Sequence, residues 1–138
     1  MMKFNPSAPQ SARAVQAWQI LVGMAKSRQT VTYKDLSWLM YGRRAQGVLS
    51  KILGHIAAYC KEAGVPLLVA IVVGANRGTP GSAIPVEPAK IDSEREKVYK
   101  YDWYDIFPPS EQDLESAWQR ARKHRGKRLR HETRQPRD

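Results

Sequence analysis

Cysteine is almost missing from this chain: Cys60 stands alone among 138 residues. A lone thiol excludes an internal disulfide and any zinc site built from several cysteines. Long apolar runs are missing too, since no stretch approaches the roughly 20 residues needed to cross a bilayer. The opening residues Met1-Met2-Lys3-Phe4-Asn5-Pro6 lack the apolar segment of a secretory signal. These absences lead to the expectation of a soluble protein in a reducing, cytoplasmic setting. Acidic residues are scarce over the first part of the chain, where residues 1–86 contain only Asp35 and Glu62.

Positive charge is abundant. Lys and Arg total 23 against 13 Asp and Glu, a formal net charge of +10. The hydrophobic share of 42% is ordinary for a folded domain, and the length suffices for one core. The charge is segregated along the chain. Residues 1–86 carry ten basic side chains, residues 87–115 carry four basic against nine acidic, and residues 116–138 carry nine basic against two acidic. A net charge of this size draws a protein toward polyanions, nucleic acid above all. The acidic middle block has three readings: it packs against a basic part of its own chain, it orients the protein on DNA, or it is a protein-binding face.

A proline-containing arm covers residues 1–10. Val15, Trp18, Leu21, Val22 and Ala25 then recur at helical spacing within 11–26. Thr32 followed by Asp35 is a capping-box-like start for a short helix over 33–40, expected to bury Leu36, Leu39 and Trp38. Tyr41-Gly42-Arg43-Arg44 reads as a turn. A third helix over 45–63 has an apolar face of Val48, Leu49, Ile52, Leu53, Ile56, Tyr59, Cys60 and Ala63, with Ser50, Lys51, His55 and Lys61 mostly off it. Gly64 and Pro66 stop it. Residues 67–73 are a continuous apolar run rich in β-branched side chains, which predicts a buried strand. A turn-rich loop over 74–81 leads to a returning strand over 82–86, which Pro85 confines to an edge. A helix is expected over 91–103 with Asp92 or Ser93 as its cap. Pro108 and Pro109 break the chain, and Ser110 with Asp113 restarts a helix carrying Leu114, Ala117, Trp118 and Ala121 on one face.

The fold expected from this order is α+β: a winged helix-turn-helix-like core of three helices plus a β-hairpin, with a C-terminal helix and a basic tail. Its parts are a flexible arm at 1–10, the core at 11–88, an acidic and aromatic segment with the C-terminal helix packed on the core at 89–121, and a basic, disordered tail at 122–138. In a winged helix the third helix enters the major groove and the hairpin touches backbone or minor groove. Arg43 and Arg44 stand where side chains reach a guanine edge or a phosphate, and Gln46 suits an adenine. Ser50 and Lys51 lie on the next exposed turn, Lys34 near the start of the second helix, and Asn76 and Arg77 at the hairpin tip. In the tail, Arg122, Lys123, Arg125, Lys127, Arg128 and Arg130 would each steepen the salt dependence of binding by neutralising a phosphate.

Thr32-Tyr33-Lys34-Asp35-Leu36, Gly42-Arg43-Arg44-Ala45, Pro66 and the segment from Gly78 to Gly81 follow one another in an order that resembles the winged-helix domain of the alkyltransferase and alkyltransferase-like DNA-binding proteins. The resemblance covers about half the chain. It implies DNA binding by the third helix. It does not imply alkyl transfer, because the Pro-Cys-His-Arg or Pro-Trp-His-Arg element is absent and the corresponding strand reads Leu68-Val69-Ala70-Ile71.

Catalytic readings carry less. Cys60 lies on an apolar helix face and reads as core, and His55 as an exposed or capping histidine. His124 and His131 lie in the tail, where protonation adds to nucleic-acid affinity. Gly78-Thr79-Pro80-Gly81-Ser82 lacks the lysine and helix of a P-loop and reads as a turn. Neither a cofactor nor a metal is expected. The exception would be a small metal-dependent nuclease using Glu87, Asp92, Glu94 and Glu96. Tyr99, Trp103 and Phe107, spaced by four, are expected to dock their segment on the core. The exposed remainder of that aromatic run, fringed by Asp102 and Asp105, would suit a protein partner. The functional expectation is a small, non-catalytic DNA-binding regulator or accessory factor. The runner-up is an adaptor or inhibitor of the mobile-element or phage type, binding a partner protein through residues 87–115.

Overall fold

The computed structural model describes residues 3–4, 8–74 and 86–133. The first helical stripe folds as its spacing dictates: α1 (Gln10–Lys26) buries Ala14, Ala17, Trp18, Leu21, Val22 and Ala25. The helix ends at Ser27, and Arg28 takes a positive φ of 54°. Its guanidinium is held against Glu96 at 2.7 Å and lies 5.2 Å from the Tyr99 ring. A two-residue strand, β1 (Val31–Thr32), leads directly into α2 (Tyr33–Tyr41). The Thr32 hydroxyl accepts from the Asp35 N–H at 3.0 Å, the N-cap contact anticipated from the sequence. Gly42 closes α2 in the left-handed conformation (φ 64°), where glycine carries no Cβ penalty.

Helix α3 (Gln46–Ala63) is the central element, packing on α1, α2 and the last helix. Leu49, Ile52, Leu53, Ile56 and Cys60 are fully buried along it. The expected strand over 67–73 is a correction. Leu68–Ile71 is a 3-10 turn, and only Val72–Val73 is a strand, β2. All four residues of the turn are inaccessible. The turn packs against α1, α3 and a fourth helix, so its side chains must leave in more directions than the two faces of a strand provide. β2 pairs with β1 in parallel, Val31 with Val72 and Thr32 with Val73. The expected return strand over 82–86 lies outside the described residues as far as 85.

After a 3-10 turn at Pro88–Lys90 comes α4 (Ile91–Lys100), which ends three residues short of the expected helix; a second turn, Trp103–Asp105, follows. Neither Asp92 nor Ser93 caps α4; Lys90 is the N-cap residue and makes no side-chain capping bond. The break undoes the assumed four-residue periodicity. Trp103 is buried, with its indole N–H donating to Val98 O at 2.8 Å and its ring edge-on to Trp18, whereas Phe107 is 94% exposed. Helix α5 (Glu111–Thr133) starts at a reciprocal cap: Asp113 N–H donates to Ser110 Oγ at 3.1 Å, and Ser110 N–H to Asp113 Oδ2 at 2.9 Å. α5 continues to Thr133, past the point where the apolar spacing ends and a disordered tail was expected. The architecture is helix-rich α+β, with a single two-stranded parallel sheet among the described residues.

Three further expectations are corrected. Trp38 and Leu39 are 53% and 59% exposed, because Tyr33, Leu36, Ser37 and Met40 form the packing face of α2. Val48 is 40% exposed at the margin of the α3 stripe. His55 is buried: α3 is covered on a second side by α5, so a residue off the main stripe is still enclosed.

Candidate nucleic-acid interface

The residues singled out on the second and third helices come together around one turn. Ala45 is buried and pins it, while Arg43 and Arg44 are exposed on either side of the chain direction change. Arg43 Nη1 donates to Arg44 O at 3.2 Å, and its guanidinium lies 6.0 Å from the Tyr41 ring. Burial raises the Tyr41 phenol above its ordinary range, against the opposing pull of Arg13 and Arg43, so it stays neutral. Arg13 locks the other side of this ring at 4.4 Å and donates to Met40 O at 2.8 Å, fixing the end of α2 to α1.

Helix α3 begins at this turn with no side-chain cap and no acidic residue in its first turn. Its first backbone N–H groups and the positive end of its dipole are therefore not neutralised locally. A Cβ placed on Gly47 would meet nothing within 4 Å, so a ligand can approach the backbone there. Lys34 on α2 and Lys51 on α3 are exposed; Ser50 is half-buried and already engaged. Gln46 is the first residue of α3, and its side chain lies outside the described residues, as do Asn76 and Arg77.

The cations of the C-terminal segment stand elsewhere. Arg120 makes a two-pronged ion pair with Glu62, Nη2 to Oε2 at 2.9 Å, near the far end of α3. That hydrogen bond holds the Glu62 carboxyl below its ordinary range. Glu62 lies about 24 Å along α3 from its first residue at 1.5 Å per residue. Arg122 turns back toward the middle of α3, 5.9 Å from the Trp118 ring and in a cleft shared with His55; Lys123 is exposed, and Arg125, Lys127, Arg128 and Arg130 follow on the same helix, their side chains outside the described residues. The sequence-predicted contacts thus divide between the start of α3 and the C-terminal part of α5.

A cluster missed in the sequence lies where α5 crosses the middle of α3. The His55 ring stacks on Trp118 of α5 at 4.7 Å and 15°, donating from Nδ1 to Lys51 O at 2.7 Å, with Nε2 3.5 Å from Glu115. With Ser11 and Glu111 these groups line a cleft of about 640 Å³. Only knowing that α5 lies across α3 reveals it. Elsewhere, burial pushes the Cys60 thiol up to about 12, which leaves no thiolate for chemistry. The four carboxylates considered for a nuclease each face a nearby cation: Glu87 with Lys90, Asp92 with Arg95, Glu94 with Lys97, and Glu96 with Arg28. Among the described residues no three metal-ligating side chains converge. No helix among them is long and apolar enough to cross a membrane.

Comparison of the chain with protein-family models, with curated proteins and with solved structures gives no match.

Proposed function

We propose that this protein binds DNA through the α2–turn–α3 unit, with the basic part of α5 adding affinity that is indifferent to sequence. One observation carries the reading: α3 opens uncapped and free of acids, with Gly47 bare and Arg43 and Arg44 exposed beside it. Backbone N–H groups, a helix dipole and two guanidiniums then converge on one place, an arrangement that suits a phosphate or a guanine edge. The order of a capped α2, a glycine turn, a long α3 and a proline before a short strand also agrees with the winged-helix reading and with the resemblance to alkyltransferase-like proteins. Leu68–Ile71, which takes the place of that family's reactive element, is sealed in the core, and the reading includes no alkyl transfer.

Fluorescence anisotropy of a labelled duplex over a salt series tests this. Replacing Arg43 and Arg44 by Ala should weaken binding and lower the salt slope by about two. Ending the chain at Arg122 should weaken all sequences alike. A double variant that binds as the parent does would overturn the assignment to the α3 end. A second reading, docking on a partner protein, is favoured by Tyr104 and Phe107, 65% and 94% exposed in a loop that also exposes Asp102 and Asp105.

A further inference from the structure

Two large apolar side chains on α2 have no part in the core. Trp38 and Leu39 are each more than half exposed. They border a groove of about 540 Å³ whose other apolar walls are Met24 and Val31, with Gln29, Thr30, Thr32 and the Asp35 carboxylate at its polar rim. That volume lies within the range of ligand clefts, about 300–1,000 Å³. Lys34 sits one helical turn before Trp38, and the turn with Arg43 and Arg44 directly follows α2. From Lys34 to Lys51 the unit exposes four cations, Lys34, Arg43, Arg44 and Lys51, against one carboxylate, Asp35. The cations beside the groove suit a phosphate, and the groove itself, whose one charged lining group is Asp35, suits a flat uncharged group with polar edges.

A nucleobase out of its stack meets both demands. Intact duplex DNA presents phosphates and base edges but hides the base faces, so it gives Trp38 nothing to cover. An unpaired base exposes its face to the indole and its edge to Gln29 and Thr30, while its phosphates reach the neighbouring cations. Resting on the DNA-binding reading above, we propose that Trp38 is a stacking platform for an unpaired base, and that the protein prefers DNA with unstacked bases over perfect duplex. Aromatic–base stacking is tolerant of base identity, so the preference is for structure and not for sequence.

The test compares a matched duplex, the same duplex with one unpaired thymine, and a single-stranded thymidine oligonucleotide, by anisotropy and by tryptophan emission. Trp18 and Trp103 are buried and Trp118 is stacked on His55, so the emission lost in Trp38→Phe reports the exposed indole. The parent should bind the probes with unpaired bases about 5- to 150-fold more tightly than the matched duplex, the span of one stacking contact. Trp38→Ala should abolish that ratio, and Trp38→Phe should keep most of it. Quenching of the Trp38 emission by the bulged probe should accompany binding.

A parent with no preference, or a preference that survives Trp38→Ala, overturns the proposal while leaving DNA binding intact. Loss of self-association on Trp38→Ala, with DNA affinities unchanged, overturns it in favour of a second copy of the chain in the groove. Weaker binding of every probe by Arg43→Ala/Arg44→Ala at a constant ratio supports both readings. Failure of the parent to bind any probe removes both.

Discussion

A single methyl group tests how α5 is seated. A Cβ added at Gly54 would come within 2.6 Å of Trp118 Cζ3 and 3.2 Å of Cη2. These are ring atoms, and the ring is backed by the stacked His55 imidazole at 4.7 Å, so it has little freedom to move aside. Two effects compete in Gly54→Ala. Replacing glycine within a helix favours folding by about 1 kcal/mol. Overpacking a filled contact costs about 1–3 kcal/mol. The net expected effect is a destabilisation of roughly 0–2 kcal/mol, or up to about 6 °C in Tm at ~3 °C per kcal/mol for a domain of this size. The sign becomes decisive in a second background. In Trp118→Ala the obstruction is gone, and Gly54→Ala should stabilise by about 1 kcal/mol. Urea unfolding of the four proteins gives a coupling energy, expected at about 1–3 kcal/mol. Equal effects of Gly54→Ala in both backgrounds would refute the close seating of the indole on Gly54.

Burial at Cys60 predicts that a thiol reagent at pH 8 leaves the folded protein unmodified and reacts at the rate of unfolding; fast labelling of the native state would contradict the core placement. Ser110→Ala removes the acceptor for the Asp113 N–H and should cost about 1 kcal/mol in chemical denaturation. The Asp113, Glu62 and Glu96 carboxyls are all held below their ordinary range by hydrogen bonds, from Ser110, Arg120 and Arg28 respectively. Their unfolded-state values are higher, so their contribution is complete above the usual carboxylate range near pH 4 and disappears as pH falls through the lowered native values. An acid titration of Tm should show that decline, and it should be shallower in Glu96→Gln.

The stripes of α1 and α3 were legible because each repeats over several turns, and a long stripe leaves little choice of face. Two of the three predicted caps, Thr32 with Asp35 and Ser110 with Asp113, were legible because a cap is local chemistry between residues three apart, whereas neither Asp92 nor Ser93 caps α4. What escaped depended on neighbours distant in sequence. The apolar run 67–73 meets every sequence criterion for a strand, yet it is enclosed by three helices, α1, α3 and α4, and curls into a 3-10 turn. His55 looked exposed because one stripe was assumed, whereas α3 has two covered sides. On α2, nine residues allow only one packing face, and Leu39 and Trp38 lose the competition to Tyr33, Leu36 and Met40. Arg43 and Arg44 were legible as exposed cations; the uncapped start of α3 beside them was not, since it rests on the backbone of Ala45.

Charge segregation along the chain is partly undone by folding, and the remainder is more informative than the total. Glu96 of the acidic block neutralises Arg28 of the basic one, and Glu62 of the first block holds Arg120 of the last. Glu87, Asp92 and Glu94 face Lys90, Arg95 and Lys97 within their own block. Of these, the Glu96–Arg28 pair ties the acidic segment to the end of α1. Arg43 and Arg44 have no carboxylate among these pairings, and neither do Arg122 and Lys123 on α5. The start of α3 and the C-terminal part of α5 are therefore where counterion release should be sought, and the separate effects of Arg43→Ala/Arg44→Ala and of truncation on the salt slope measure them one at a time.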